Sequence, residues 1–163
     1  MDAIVIRVPG EPVPWKAPRI VRRGAGWAGV TPVPTVKWEF GASTIARQVM
    51  KTRPPLTGPL SVSVVICLPV PQSWPPWKRE AALDGRVRPT GRPDRTNIVK
   101  AAEDACNNIV WVDDAQIVEG ACSKQYSDAP CVLIRVESVV ALSSQTTKRQ
   151  ALDDIRLRRR DQR

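Results

Sequence analysis

Residues 91–118 read GRPDRTNIVKAAEDACNNIVWVDDAQIV, and they gather Asp94, Lys100, Asp113 and Asp114 around one short segment. Carboxylates brought together repel one another, and a divalent cation among them relieves that repulsion. Such a cation polarises a phosphodiester and lowers the pKa of a bound water. A nearby lysine stabilises charge developing on the phosphate or the leaving oxygen. If these residues meet, they offer metal-assisted phosphodiester hydrolysis, with Asp94, Asp113 and Asp114 as metal ligands and Lys100 as the cationic partner. Each also has a plain structural reading. Asp94 favours a helix N-terminus through the macrodipole, and Asp113-Asp114 suits an ordinary turn. Lys100 suits a solvated helix face, with Glu103 and Asp104 as solvated neighbours or partners.

The elements that must position them follow from the flanking pattern. TNIVKAAEDACNN (96–108) reads as a helix with Ile98, Ala101, Ala102 and Ala105 on its apolar face. Thr96 is the expected N-cap, and Asn107-Asn108 suits a C-terminal cap in left-handed geometry. Lys100 lies four residues after Thr96, on the same face. A helix of about a dozen residues spans roughly 18 Å, so Asp94 and the later Asp pair meet only if the next strand runs back alongside it. Helix, short turn and strand (115–127) make that return natural.

The rest of the chain supplies a scaffold. AIVIRV (3–8) reads as a strand, LSVSVVICLPV (60–70) as a central one, and PCVLIRVESVV (130–140) as the last. Gly120 suggests a bulge in the third strand. DAP (128–130) suggests a hairpin turn between the third and fourth. KWEFGASTIARQVMKTR (37–53) reads as a helix ended by Pro54-Pro55, and WKREAALDG as a short helix stopped by Gly85. Residues 9–29 read as a long basic loop with room for a ragged hairpin. The order β-α-β-α-β-β predicts a single α+β domain with a mixed β-sheet over 1–142. Residues 143–163 form a basic C-terminal tail, read as disordered or weakly helical.

Composition narrows the function. The 163 residues carry 25 Lys+Arg against 16 Asp+Glu, a net +9, which points to a polyanionic partner. There is no histidine, which removes Ser-His-Asp and Cys-His catalysis and imidazole acid–base chemistry. Cys67, Cys106, Cys122 and Cys131 lack CxxC spacing and read as free, buried thiols. No apolar run reaches the roughly 20 residues that span a bilayer, and the first residues lack a secretory n-region. The expectation is a cytoplasmic protein with no membrane partner. Six of eight aromatics are Trp. Trp111 reads as core, whereas Trp15, Trp27, Trp74 and Trp77 lie in Pro-rich, basic loops, where they either stack on bases or pack on prolines. Lys16, Arg19, Arg22, Arg23, Lys78, Arg79, Arg86, Arg88 and Arg92 are the expected phosphate contacts.

The stretch RPDRTNIVKAAEDACNNIVWVDDAQIV resembles the core motif of the RusA-type Holliday junction resolvases, many of them encoded by prophages. Pro93, Asp94, Asn97, Lys100, Asp104, Asp113, Asp114, Ala115 and Gln116 match in order and spacing. GEPVPWKAPR, SWPPWKREAALDGRVRPTGRPD and SKQYSDAP resemble further segments of the family, so the likeness covers residues 4–140. It implies a homodimer that binds branched DNA, a four-way junction, and cuts it with paired nicks using Mg²⁺ (or Mn²⁺) in recombination and repair. Asp94, Lys100 and Asp114 are the implied catalytic residues, with Asp113 beside them. One position departs: the family's second aspartate is Thr96 here. Three explanations compete. Asp94, Asp113 and Asp114 hold the metal with waters, or Asp104 or Glu103 compensates, or the protein binds branched DNA with little or no catalysis.

Overall fold

The computed structural model describes residues 3–139, so the basic tail lies outside the described residues. The expected strands and helices are present, with a hairpin added. The elements are β1 (Ile4–Pro9), β2 (Arg19–Arg23), β3 (Gly26–Val30), α1 (Val33–Met50), β4 (Leu60–Pro69), α2 (Pro76–Leu83), α3 (Arg95–Cys106), β5 (Ile117–Ser127) and β6 (Cys131–Ser138). The α+β class and mixed sheet are as the sequence implies. No helix among the described residues is long and apolar enough to cross a membrane.

The main sheet runs β1-β6-β4-β5, with β4–β5 parallel and the other pairs antiparallel. Alternation in β4 turns Leu60, Val62, Val64, Ile66 and Leu68 into the core, as period-2 geometry requires. Ile4, Ile6 and Val8 of β1 and Val132, Ile134 and Val136 of β6 continue the same face. Against it pack Ala42, Ala46 and Met50 of α1 and Ile98, Ala102, Ala105 and Cys106 of α3. Small alanines let both helices approach the sheet closely. Trp111, fully buried, fills the corner after α3, which bears out its reading as core.

Four local expectations change. First, β5 and β6 are not a hairpin: β4 lies between them, so Asp128-Ala129-Pro130 carries the chain past the end of β4. Burial explains the order. β6 is apolar enough to sit inside the sheet, whereas β5 is exposed along most of its length and takes the edge. Second, the irregularity in β5 falls at Val118, because Leu60 pairs with Ile117 and Ser61 with Glu119, and Gly120 pairs regularly with Val62. Third, α1 begins at Val33, earlier than expected, with a proline in its first turn, where the missing N–H costs nothing. Fourth, α3 is capped at Asp94, and Thr96 sits in its first turn.

Candidate active site and nucleic-acid surface

The N-terminal end of α3 is assembled from distant parts of the chain. Arg92-Pro93 is a cis peptide that turns the chain into the helix. Lys124 of β5 donates from Nζ to the carbonyls of Gly91 (2.8 Å) and Pro93 (3.1 Å), pinning that turn to the sheet edge. Across from it, the Trp15 amide donates to the Asn97 carbonyl (2.8 Å), and the buried Thr35 hydroxyl of α1 donates to the Pro14 carbonyl (3.3 Å). Residues 12–16 are thus strung between α1 and α3. Between them and the helix start lies a cleft of about 530 Å³ whose walls include Glu11, Lys16, Arg92, Asp94 and Asn97. Asp94 occupies the cap position, yet its side chain makes no capping hydrogen bond. Its carboxylate therefore stays exposed at the positive end of the helix macrodipole, beside two cationic side chains.

The C-terminal end is built locally. Asn108 takes the left-handed conformation (φ 59°), and the Ile109 and Val110 amides donate to the Cys106 carbonyl. The chain then enters a single 3-10 turn, Asp114–Gln116, closed by a capping box. Asp113 Oδ1 accepts from the Ala115 amide (2.8 Å), and Gln116 Oε1 accepts from the amides of Val112 (2.9 Å) and Asp113 (3.0 Å). Gln116 Nε2 donates to the carbonyls of Leu56 (3.1 Å) and Gly58 (2.9 Å), tying this turn to the start of β4. The Asp pair thereby divides: Asp113 is a cap, and Asp114 points its charge elsewhere.

Asp114 acts on α3. Burial pushes the half-buried Glu103 carboxyl up, Asp114 and Asp104 push it further, and Lys100 opposes them. Burial also raises Glu39 of α1, followed by Asp104, with Lys100 again opposing. Lys100 is thus the cation of an acidic patch. Its Nζ lies 3.4 Å from Asp104 Oδ1 and 5.1 Å from the centre of the Trp15 ring.

The strand after α3 does run back along the helix, for Arg95 acts on Cys122, and Lys124 holds the turn before the helix. Asp94 and Asp114 nevertheless stay apart. The return begins beyond the helix C-terminus, so the Asp pair remains at that end. From Asp94 to Glu103 alone is roughly 13 Å of helical rise. Among the described residues no three acids lie close enough to hold a metal ion.

Further basic and aromatic residues lie elsewhere on the surface, and Arg92 and Tyr126 share a cleft beside the turn into α3. Trp74 packs edge-on against Tyr126 with centroids 5.2 Å apart, and the Lys78 ammonium sits 4.0 Å from its centre. Trp77, Arg79, Arg88 and Arg92 are exposed, and Arg86 pairs with Asp84 at 2.8 Å on the surface. Arg19, Arg22 and Arg23 lie on the exposed β2–β3 hairpin, and Lys16 borders the cleft. Cys67, Cys106 and Cys131 are buried and free as expected, whereas Cys122, on edge strand β5, is free but only half-buried; burial pushes Cys106 up to about 12, so it is inert as a nucleophile. Three residues acquire a structural role here. Gln116 was visible as the last member of a D-x-x-Q capping box. Glu11 and Lys124 reach the site from distant parts of the chain; they lie in the family-like segments GEPVPWKAPR and SKQYSDAP, but nothing in the sequence places them beside α3.

The fold is a mixed α+β domain whose sheet carries an acid-bearing helix, with Lys16 and Arg92 in the cleft at its start. Residues 9–137 match the family described as endodeoxyribonuclease RusA, and the chain belongs to that family. It is therefore an endodeoxyribonuclease of a family that resolves Holliday junctions. The uncharacterized protein YqaN of Bacillus subtilis (strain 168) is 36% identical over 146 residues, covering 86% of this chain and 100% of that protein.

Proposed function

We propose that the protein is a metal-dependent, homodimeric endonuclease that resolves four-way DNA junctions by paired nicks during recombination and repair. The observation that carries this reading is the exposed Asp94 carboxylate in a cleft flanked by Lys16 and Arg92, in a chain whose family cuts DNA. A hard cation takes oxygen ligands, and Mg²⁺ keeps several waters, so few carboxylates suffice. The donor set, all oxygen, fits Mg²⁺ or Mn²⁺. One protomer keeps Asp94 and Asp113-Asp114 at opposite ends of α3, so we assign the complete site to two protomers. Asp94 of one copy would meet Asp114, with Asp113 beside it, from the other. Two-fold symmetry then makes two such sites, which suits a nearly two-fold junction.

When bound, the cation would polarise the scissile phosphodiester and lower the pKa of its water. Lys16 and Arg92 draw the phosphate in and orient it. Lys100 exchanges Asp104 for the developing phosphate charge. Arg19, Arg23, Trp74, Trp77, Lys78, Arg79 and Arg88 extend the contact along the DNA arms. Thr96, neutral and in the first turn of α3, supplies no charge to this set.

The test is a purified-protein assay on a synthetic four-way junction against linear duplex, with Mg²⁺, Mn²⁺ or chelator. Metal-dependent paired nicks in the junction alone are expected. Tight junction binding without nicking in either metal would instead make the protein a non-catalytic branched-DNA binder, and Thr96→Asp would then be the change expected to restore cutting.

A further inference from the structure

The hairpin β2–β3 is the one part of the described fold that the core does not explain. It stands outside the four-stranded sheet as a separate two-stranded ribbon, and both strands are exposed almost throughout. Its turn is tight, with Gly24 in the left-handed region (φ 59°) that a side chain would strain. Register fixes the two faces. Arg22 pairs directly with Trp27, and Ile20 with Gly29, so Ile20, Arg22 and Trp27 share one face. Trp27 is 75% exposed and Ile20 74%. From Pro12 to Trp38 the chain holds Lys16, Arg19, Arg22, Arg23 and Lys37 and not one acid. A flat aromatic beside a guanidinium, on a purely cationic ribbon, suits a polyanion with an accessible π-face.

We propose that this hairpin is the arm that recognises the branch point itself, with Trp27 stacking on a base exposed there and Arg22 holding the adjoining phosphate. Linear duplex keeps its bases stacked and offers phosphates only. A junction offers both, so the arm would turn general affinity for DNA into preference for branches. The inference rests on the reading of the protein as a junction-cutting enzyme, but it concerns selection of the substrate and not the acids.

The experiment places 2-aminopurine at the branch point of a four-way junction and measures binding without metal. Wild-type protein should change the 2-aminopurine fluorescence on binding. Trp27→Ala should abolish that change and reduce the preference for junction over duplex by about tenfold, while Trp27→Phe keeps most of both. Arg22→Ala should weaken junction and duplex binding alike and lower the salt slope by about one. Unchanged fluorescence and preference in Trp27→Ala would overturn the proposal. So would loss of the homodimer in that variant by light scattering, which would make the arm a clasp for a second copy. Nicking by wild-type protein with Mg²⁺ is scored separately. Its absence with the fluorescence response intact rejects the catalytic reading and spares the arm.

Discussion

The two ends of α3 hold the same kind of residue by opposite means. At the C-terminal end, left-handed Asn108, the Asp113 cap and the Gln116 side chain fold residues 107–116 largely on themselves, and Gln116 then ties them to the Leu56 and Gly58 carbonyls. At the N-terminal end, Asp94 caps nothing, and its surroundings come from residues 11–16, from the 91–93 turn and from Lys124 on a distant strand. A carboxylate engaged by backbone amides is a structural part. A carboxylate left unengaged at a helix N-terminus is available to a ligand. The contrast separates Asp113 from Asp94 and Asp114 although all three are aspartates at a helix end.

That contrast can be broken most forcefully at the acids. Asp94→Asn and Asp114→Asn should each lower junction nicking by more than ~100-fold, beyond the loss typical of a ligand's outer partners. Junction binding should survive in both. If the two ends meet across a dimer, mixing the two inactive variants should restore roughly a quarter of the sites, since half the dimers are mixed and each holds one intact site. Recovery to zero after subunit exchange would place the whole site in one protomer.

Next is the local end. Gln116→Ala removes four hydrogen bonds and should cost about 2–3 kcal/mol in urea unfolding, toward the low end of the net value per bond because three of the four are exposed. Lys124→Met tests the distant assembly at the other end. It should cost about 1–2 kcal/mol, because its two acceptors are partly exposed. Nicking should nevertheless fall further than this loss explains, because the turn that presents Asp94 is released.

The smallest effect concerns the acidic patch between the ends. The Glu103 carboxyl is raised above its usual 4.5 by burial, then by Asp114 and Asp104. Between 4.5 and the folded value the folded state binds more protons than the unfolded one, so stability falls as pH rises through that window. The penalty is therefore fully present at neutral pH. Glu103→Gln should raise the melting temperature slightly at pH 7 in chelator, and the gain should vanish as pH drops below 4.5. A gain independent of pH would mean that charge is not its cause.

Much of the fold was legible because burial on one face writes period-2 alternation into the chain. Ile4-Ile6-Val8 and Leu60-Val62-Val64-Ile66-Leu68 announce strands with one buried side, and Ile98-Ala101-Ala102-Ala105 announces a helix. The start of α1 was missed because prolines read as breakers, although the first turn tolerates them. The β2–β3 ribbon was barely visible, since it buries nothing and leaves no apolar period. Strand neighbours were hidden too: three residues between β5 and β6 suggest a hairpin, and only competition for the sheet interior puts β4 between them.

What the sequence determined by itself is what acts over a few residues or over the whole charge. It set the helix with acids at either end, the Asn-Asn exit, the spacing of the D-x-x-Q box, the absence of histidine and the excess of cations. Tertiary structure decided which of those acids is free and which is consumed, that Thr96 is not the cap, and that Glu11 and Lys124 border the site. Caps and periodicities are satisfied by neighbours in the chain, so the chain records them. A carboxylate's freedom depends on what arrives from β5 and from residues 12–16, and those contacts exist only once the sheet has chosen its order.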